Sequence, residues 1–153
     1  MEKDMKRLLF LIVFLMLPVW LFSCKSQKDA AEMAREFLDT YGAEGVIYTS
    51  RGGEDFELLT DELFKKIYIY DGDVPKNCAV FLNSFADYGS EFGIFVCEDA
   101  EELRAVEKCC LERIDLLGRG GDNAILIRCG GTVFYSTMSD GDRAREIWKS
   151  VAK

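Results

Sequence analysis

Twice after residue 78 the chain repeats one pattern: two short apolar runs separated by a tight polar or glycine turn, followed by an apolar stripe at helical spacing. In the first round, Ala79 to Phe85 and Phe92 to Cys97 read as strands around a turn containing Asp87 and Gly89. Asp99 then caps a helix, with Glu102 placed for a capping box. Leu103, Val106, Cys110, Ile114 and Leu117 share one face until Gly118 stops it. In the second round, Ala124 to Cys129 and Thr132 to Thr137 flank Gly130-Gly131, a two-residue loop suited to a primed turn that needs positive φ. Ser139 caps a last helix, with Asp142 three residues on and Ala144, Ile147, Trp148 and Val151 on one face.

Upstream, Ala30, Met33, Ala34, Phe37, Leu38 and Tyr41 recur at helical spacing, with Ser26 or Asp29 to cap the start and Gly42 to end it. Residues 43 to 78 are less regular. Val46 to Thr49 predicts a brief strand before a turn at Arg51-Gly52-Gly53. Thr60 caps a helical turn or two carrying Leu63, Phe64 and Ile67, and Tyr68-Ile69-Tyr70 leads into a turn at Asp71-Gly72-Asp73. The predicted order is a helix, an irregular insert, then ββαββα. That is an α+β fold with a four-stranded antiparallel sheet and helices mainly on one face. Residues 29–153 form a single domain.

The strands carry many apolar residues for a sheet with one wet face: Phe81, Phe85, Phe95, Phe134 and Tyr135 join Val80, Leu82, Ile94, Val96, Ile125 and Ile127. Two readings follow. Either residues 43 to 70 cover the second face, or that face offers a groove or patch to a partner or an apolar ligand.

The N-terminus supplies an address. Lys3, Lys6 and Arg7 precede an apolar run from Leu8 to Phe22, the charged and apolar regions of an export signal. As a helix, residues 8 to 24 would span roughly 25 Å at about 1.5 Å per residue, short of a hydrocarbon core about 30 Å thick. A signal is therefore favoured over a permanent anchor. Leu21-Phe22-Ser23-Cys24 resembles the lipobox of bacterial lipoproteins. That resemblance implies a signal peptide at 1–23, acylation of Cys24, a short tether at 24–28, and a domain held at the extracytoplasmic face of the cell membrane. Two acyl chains anchor stably where one does not.

With 27 acidic against 19 basic residues and a net charge of −8, nucleic acid is not expected as a partner. An anionic membrane surface would repel the domain, leaving the lipid to hold it. The chain has no histidine, which removes Ser-His and Cys-His nucleophile pairs and histidine metal sites. After Cys24 come Cys78, Cys97, Cys109, Cys110 and Cys129. An odd count with an adjacent pair reads as free, mostly buried thiols, with one of Cys109 and Cys110 half-exposed, as would suit an organism living without oxygen.

Other motifs resolve into structure. Gly118-Arg119-Gly120-Gly121 runs from helix to strand, the wrong order for a phosphate loop, and reads as a helix cap and connector. Asp71-Gly72-Asp73 and Asp140-Gly141-Asp142 lack the further oxygen ligands of a cation loop and read as a turn and a helix start. No catalytic, cofactor or metal residue is assigned.

The order of elements, with Glu91-Phe92-Gly93-Ile94-Phe95-Val96 before a charged helix and a closing Gly-Gly-Thr-Val-Phe hairpin, resembles the bacterial lipoproteins grouped as domain of unknown function 4358. The likeness covers most of residues 26 to 153 and implies location and fold, without an activity. The expected function is that of a membrane-tethered binding module whose partner is another envelope protein or a small apolar ligand. The alternative is a small envelope enzyme using a Ser/Lys or carboxylate site, for which no arrangement of residues stands out.

Overall fold

The computed structural model describes residues 28–83, 90–118 and 123–153. The expected signal at 1–23, Cys24, the tether up to residue 27, Phe85, the turn at Asp87 and Gly89, and Arg119-Gly120-Gly121 lie outside the described residues.

Helix α1 spans Ala30–Tyr41. Asp29 caps it by accepting from the Ala31 amide, and Gly42 closes it in the left-handed conformation at φ 75°, its N–H returning to Leu38 O. Strand β1 (Gly45–Thr49) follows, and a turn through Gly52 (φ 64°) brings the chain back as β2 (Glu57–Leu58). Helix α2 (Asp61–Ile67) starts at Thr60, whose hydroxyl accepts from the Leu63 amide. Strands β3 (Cys78–Asn83) and β4 (Glu91–Val96) pair antiparallel, and helix α3 (Ala100–Leu116) follows. Asp99 caps α3 through two amides, and Glu102 accepts from Glu98 N rather than from the cap residue itself. Strands β5 (Ile125–Cys129) and β6 (Thr132–Ser136) form the second hairpin, with positive φ at Gly130 (59°). Helix α4 (Gly141–Val151) is capped by Asp140, not Ser139. The acceptor must reach the third amide of the helix, and it is Asp140 Oδ1 that meets Arg143 N.

The α+β class and both hairpins hold, but the sheet differs from the four antiparallel strands expected. It has six strands in the order β2-β1-β3-β4-β6-β5, and it is mixed, because β1 and β2 run parallel. The insert supplies the two extra strands: β1 lies antiparallel against β3, and β2 adds to β1 at Tyr48↔Glu57 and Thr49↔Leu58.

Helices also pack on both faces rather than mainly on one. On one side α1 and α4 cover Phe81, Phe92, Ile94 and Phe134, with Phe37 4.6 Å from the Phe92 ring centre and Trp148 stacked at 4.3 Å on Phe134. On the other side α2, Tyr68 and α3 cover Val80, Phe95, Val133 and Tyr135. Every residue of β4 and β6 is buried, so neither strand shows the polar alternation of a half-wet sheet. The insert covers part of the second face through Leu59, Phe64, Ile67 and Tyr68, while α3 covers the rest.

Cys109 and Cys110 are both buried, contrary to the expectation that one would be half-exposed. Neighbouring side chains on a helix diverge by about 100°, and here the contact line with the sheet runs between the two. All five described cysteines are free, and Cys129 alone among them is exposed.

Candidate functional site

The concentration of buried polar chemistry is one that the sequence did not announce. Glu91, first residue of β4, is 3 % exposed yet carries a carboxylate. Strand alternation turns it toward α3, and there the Arg113 guanidinium grips it with two parallel bonds, Nε to Oε1 at 2.8 Å and Nη2 to Oε2 at 2.7 Å. The Tyr135 hydroxyl donates to Oε1 at 2.7 Å. Its single proton being so used, the Tyr68 hydroxyl donates in turn to Tyr135 across 2.6 Å.

Gly93 makes this possible. It faces the same side as Glu91, two residues on, and a Cβ there would sit 2.4 Å from the Tyr135 ring and 2.8 Å from the Phe95 ring. The bare Cα lets the Tyr135 ring lie across β4 and bring its hydroxyl to the carboxylate. Burial first, with the neighbouring Glu91 charge adding to it, pushes both tyrosines well above their ordinary range. The hydrogen bonds that Arg113 donates to Glu91 likewise hold the guanidinium above its ordinary range, against the effect of burial.

Chemically this cluster is a tie. Both carboxylate oxygens are engaged, the hydroxyls are saturated in sequence, and only Arg113, with 20 % of its side chain exposed, reaches the surface. It joins β4, β6, α3 and the segment after α2. The signal was legible in retrospect: Arg113 follows Val106 and Cys110 at helical spacing, so it lies on the buried stripe of α3. Glu91 heads an otherwise apolar strand.

The sequence motifs fall elsewhere. Asp140 is a helix cap, and no group of three or more Cys, Asp or Glu residues that could hold a metal exists among the described residues. Asp71 and Asp73 are exposed. Burial pushes the Cys78 and Cys97 thiols up to about 12 and Cys110 well above the usual thiol range, which makes them poor nucleophiles.

Among the described residues the surface carries several clefts, two of them broad. One, of about 520 Å³, lies between the start of α3 and the segment before β3 and is rimmed by Asp73, Lys76, Glu98 and Glu102. Lys76 pairs with Glu98 at 3.1 Å and Glu102 closes the α3 cap, so three of these four charges are engaged. The other, of about 580 Å³, runs between α1 and the outer edge of β1. Arg35 and Leu38 form one wall, Gly45 to Ile47 the floor, and Glu54 to Glu57 the far wall. Arg35 lies 4.6 Å above the Phe56 ring and pairs with Asp55 at 3.0 Å.

Cys24, the expected lipid-attachment residue, lies outside the described residues, which begin at Lys28. The Lys28 ammonium donates to Val151 O at 2.8 Å, at the C-terminal end of α4, where a cation is favoured by the helix dipole. No helix among the described residues is long and apolar enough to cross a membrane.

No family model matches this chain, and no curated protein or solved structure was found to be similar to it.

Proposed function

We propose that this protein is a lipid-anchored binding module of the bacterial cell envelope, held by Cys24 at the extracytoplasmic face and engaging another envelope protein through its surface. The observation that carries the binding half is the groove along β1: a walled channel of about 580 Å³ in a domain whose buried polar cluster is closed off. The resemblance to lipoproteins of the 4358 group accords with the location.

The tether supports the geometry. Four steps of extended chain from Cys24 to Lys28 reach roughly 14 Å at most. With Lys28 held on Val151, the start of α1 and the end of α4 would face the lipid. Arg35 and Leu38 lie roughly 9 to 14 Å further along α1 than Asp29, so the groove would open sideways, within reach of a neighbour in the same membrane.

The test is recovery of partners by crosslinking in native membranes, comparing the wild type with Cys24→Ala, alongside mass analysis of the N-terminal peptide. The expected result is a diacylated Cys24 at the mature N-terminus and a specific partner lost in the Cys24→Ala protein. A cytosolic chain that keeps residues 1 to 23 and a bare Cys24 thiol would defeat the proposal.

A further inference from the structure

Resting on that binding reading, we propose that the groove beside β1 receives an extended, lysine- or arginine-bearing peptide segment of a partner protein as an added β-strand. The backbone of β1 argues for the strand. Ser50 N donates to Cys78 O at 3.2 Å, so residues of even number in this stretch turn their backbone groups toward β3. Leu59 N donates to Thr49 O at 2.9 Å, so the odd ones turn outward. Strand β2 covers that outer edge only from Tyr48 onward. The outward amide and carbonyl of Gly45 and the amide of Ile47 therefore open into the groove, and no strand among the described residues lies against them. Unpaired groups of this kind are the template on which β-addition builds. The edge is short, roughly 10 Å at about 3.3 Å per residue, which suits a segment of about three or four residues.

The walls argue for the charge. Leu38 is half-buried and offers apolar contact to a side chain of an incoming strand, while Phe56, also half-buried, carries Arg35 over its ring. Arg35, the groove's cation, is already paired with Asp55. Asp39, Glu54 and Glu57 line the same groove, are exposed, and have no cationic partner among the described residues. The charge left unmatched is negative. A strand carrying alternating cations would meet it, while an acidic one would be repelled.

The experiment uses the full acylated chain in nanodiscs of zwitterionic lipid and a fluorescent peptide alternating lysine and valine. The expected result is saturable binding with new hydrogen-exchange protection at the Gly45 and Ile47 amides. Methylating alternate backbone nitrogens of the peptide, in the phasing that faces β1, is expected to weaken binding by about tenfold or more. The combined variant Asp39→Lys, Glu54→Lys, Glu57→Lys, all at exposed positions that leave the core untouched, is expected to lose about tenfold.

Equal binding of every methylated peptide would mean that charge alone attracts it, and would overturn the strand. Unchanged binding by the charge-reversed variant, protection at β5 instead, or self-association of the chain through β1 would overturn the site or its occupant. A membrane partner recovered equally well by wild type and charge-reversed protein would refute this groove while leaving the binding reading intact.

Discussion

At the scale of single residues, the buried Glu91 matters most to stability. An ion pair taken out of water is not a source of stability in itself, because desolvation offsets much of the attraction, but removing one partner strands the other. Glu91→Gln is expected to cost about 3 kcal/mol, the lower end of the range for broken buried pairs because Arg113 keeps some contact with water. Replacing the tie as a unit, Glu91→Leu with Arg113→Met, Tyr135→Phe and Tyr68→Phe, is expected to recover most of that loss in urea titrations. A quadruple variant no more stable than Glu91→Gln would show that the polar groups stabilise the fold on balance.

The same groups set an alkaline limit. Buried thiols and hydroxyls with raised folded values stay protonated in the native state while the unfolded chain ionises, its thiols near 9.0 and its tyrosines near 10.0. The unfolded state then binds fewer protons, so stability falls as pH rises. It is expected to be level on this account below pH 9, to decline above it, and to steepen past 10; Tyr68→Phe should soften the later part in pH-dependent melts.

At the scale of elements, β4 depends on a residue with no side chain. Gly93→Ala would drive a methyl into the Tyr135 and Phe95 rings, an overpacking expected to cost about 2 to 3 kcal/mol with an unchanged denaturant slope. A loss of under about 0.5 kcal/mol, the range of an uninvolved surface site, would mean that the rings move aside freely. Helix α3 gives a second check. With Cys109 and Cys110 both turned into the core, iodoacetamide at neutral pH is expected to label Cys129 alone among the five domain cysteines, and Cys78, Cys97, Cys109 and Cys110 only after unfolding. Labelling of Cys109 or Cys110 in the native protein would contradict the placement of α3.

The helices and the two later hairpins were readable because each carries its own signal. Capping residues, apolar spacing and the Gly130-Gly131 turn are local facts, and local facts survive folding. The element that went unread was β2, two exposed residues whose only claim to be a strand is their backbone pairing with β1. Strand β1 was read, but its place in the sheet was not, since Ile47 and Thr49 are its only buried residues.

At the scale of the whole molecule, the sheet has a stable middle and a weak rim. Strands β4 and β6 are buried along their full length between two helical layers, whereas Glu57 and Leu58 of β2 are exposed. Native-state hydrogen exchange is expected to be slowest in β4 and β6 and fastest, among the strands, in β2. Amides of β2 exchanging as slowly as those of β4 would show that the rim opens only with global unfolding.

Periodicity, caps and turn chemistry act over a few residues, and so the chain itself determined its helices, its hairpins and the α+β class. Which face each helix covers, the parallel joining of β2 to β1, the meeting of Glu91 with Arg113 and the groove left open beside Gly45 were decided only by packing. Each depends on groups distant in the chain being brought within a few ångströms, and no local pattern records which distant group that will be.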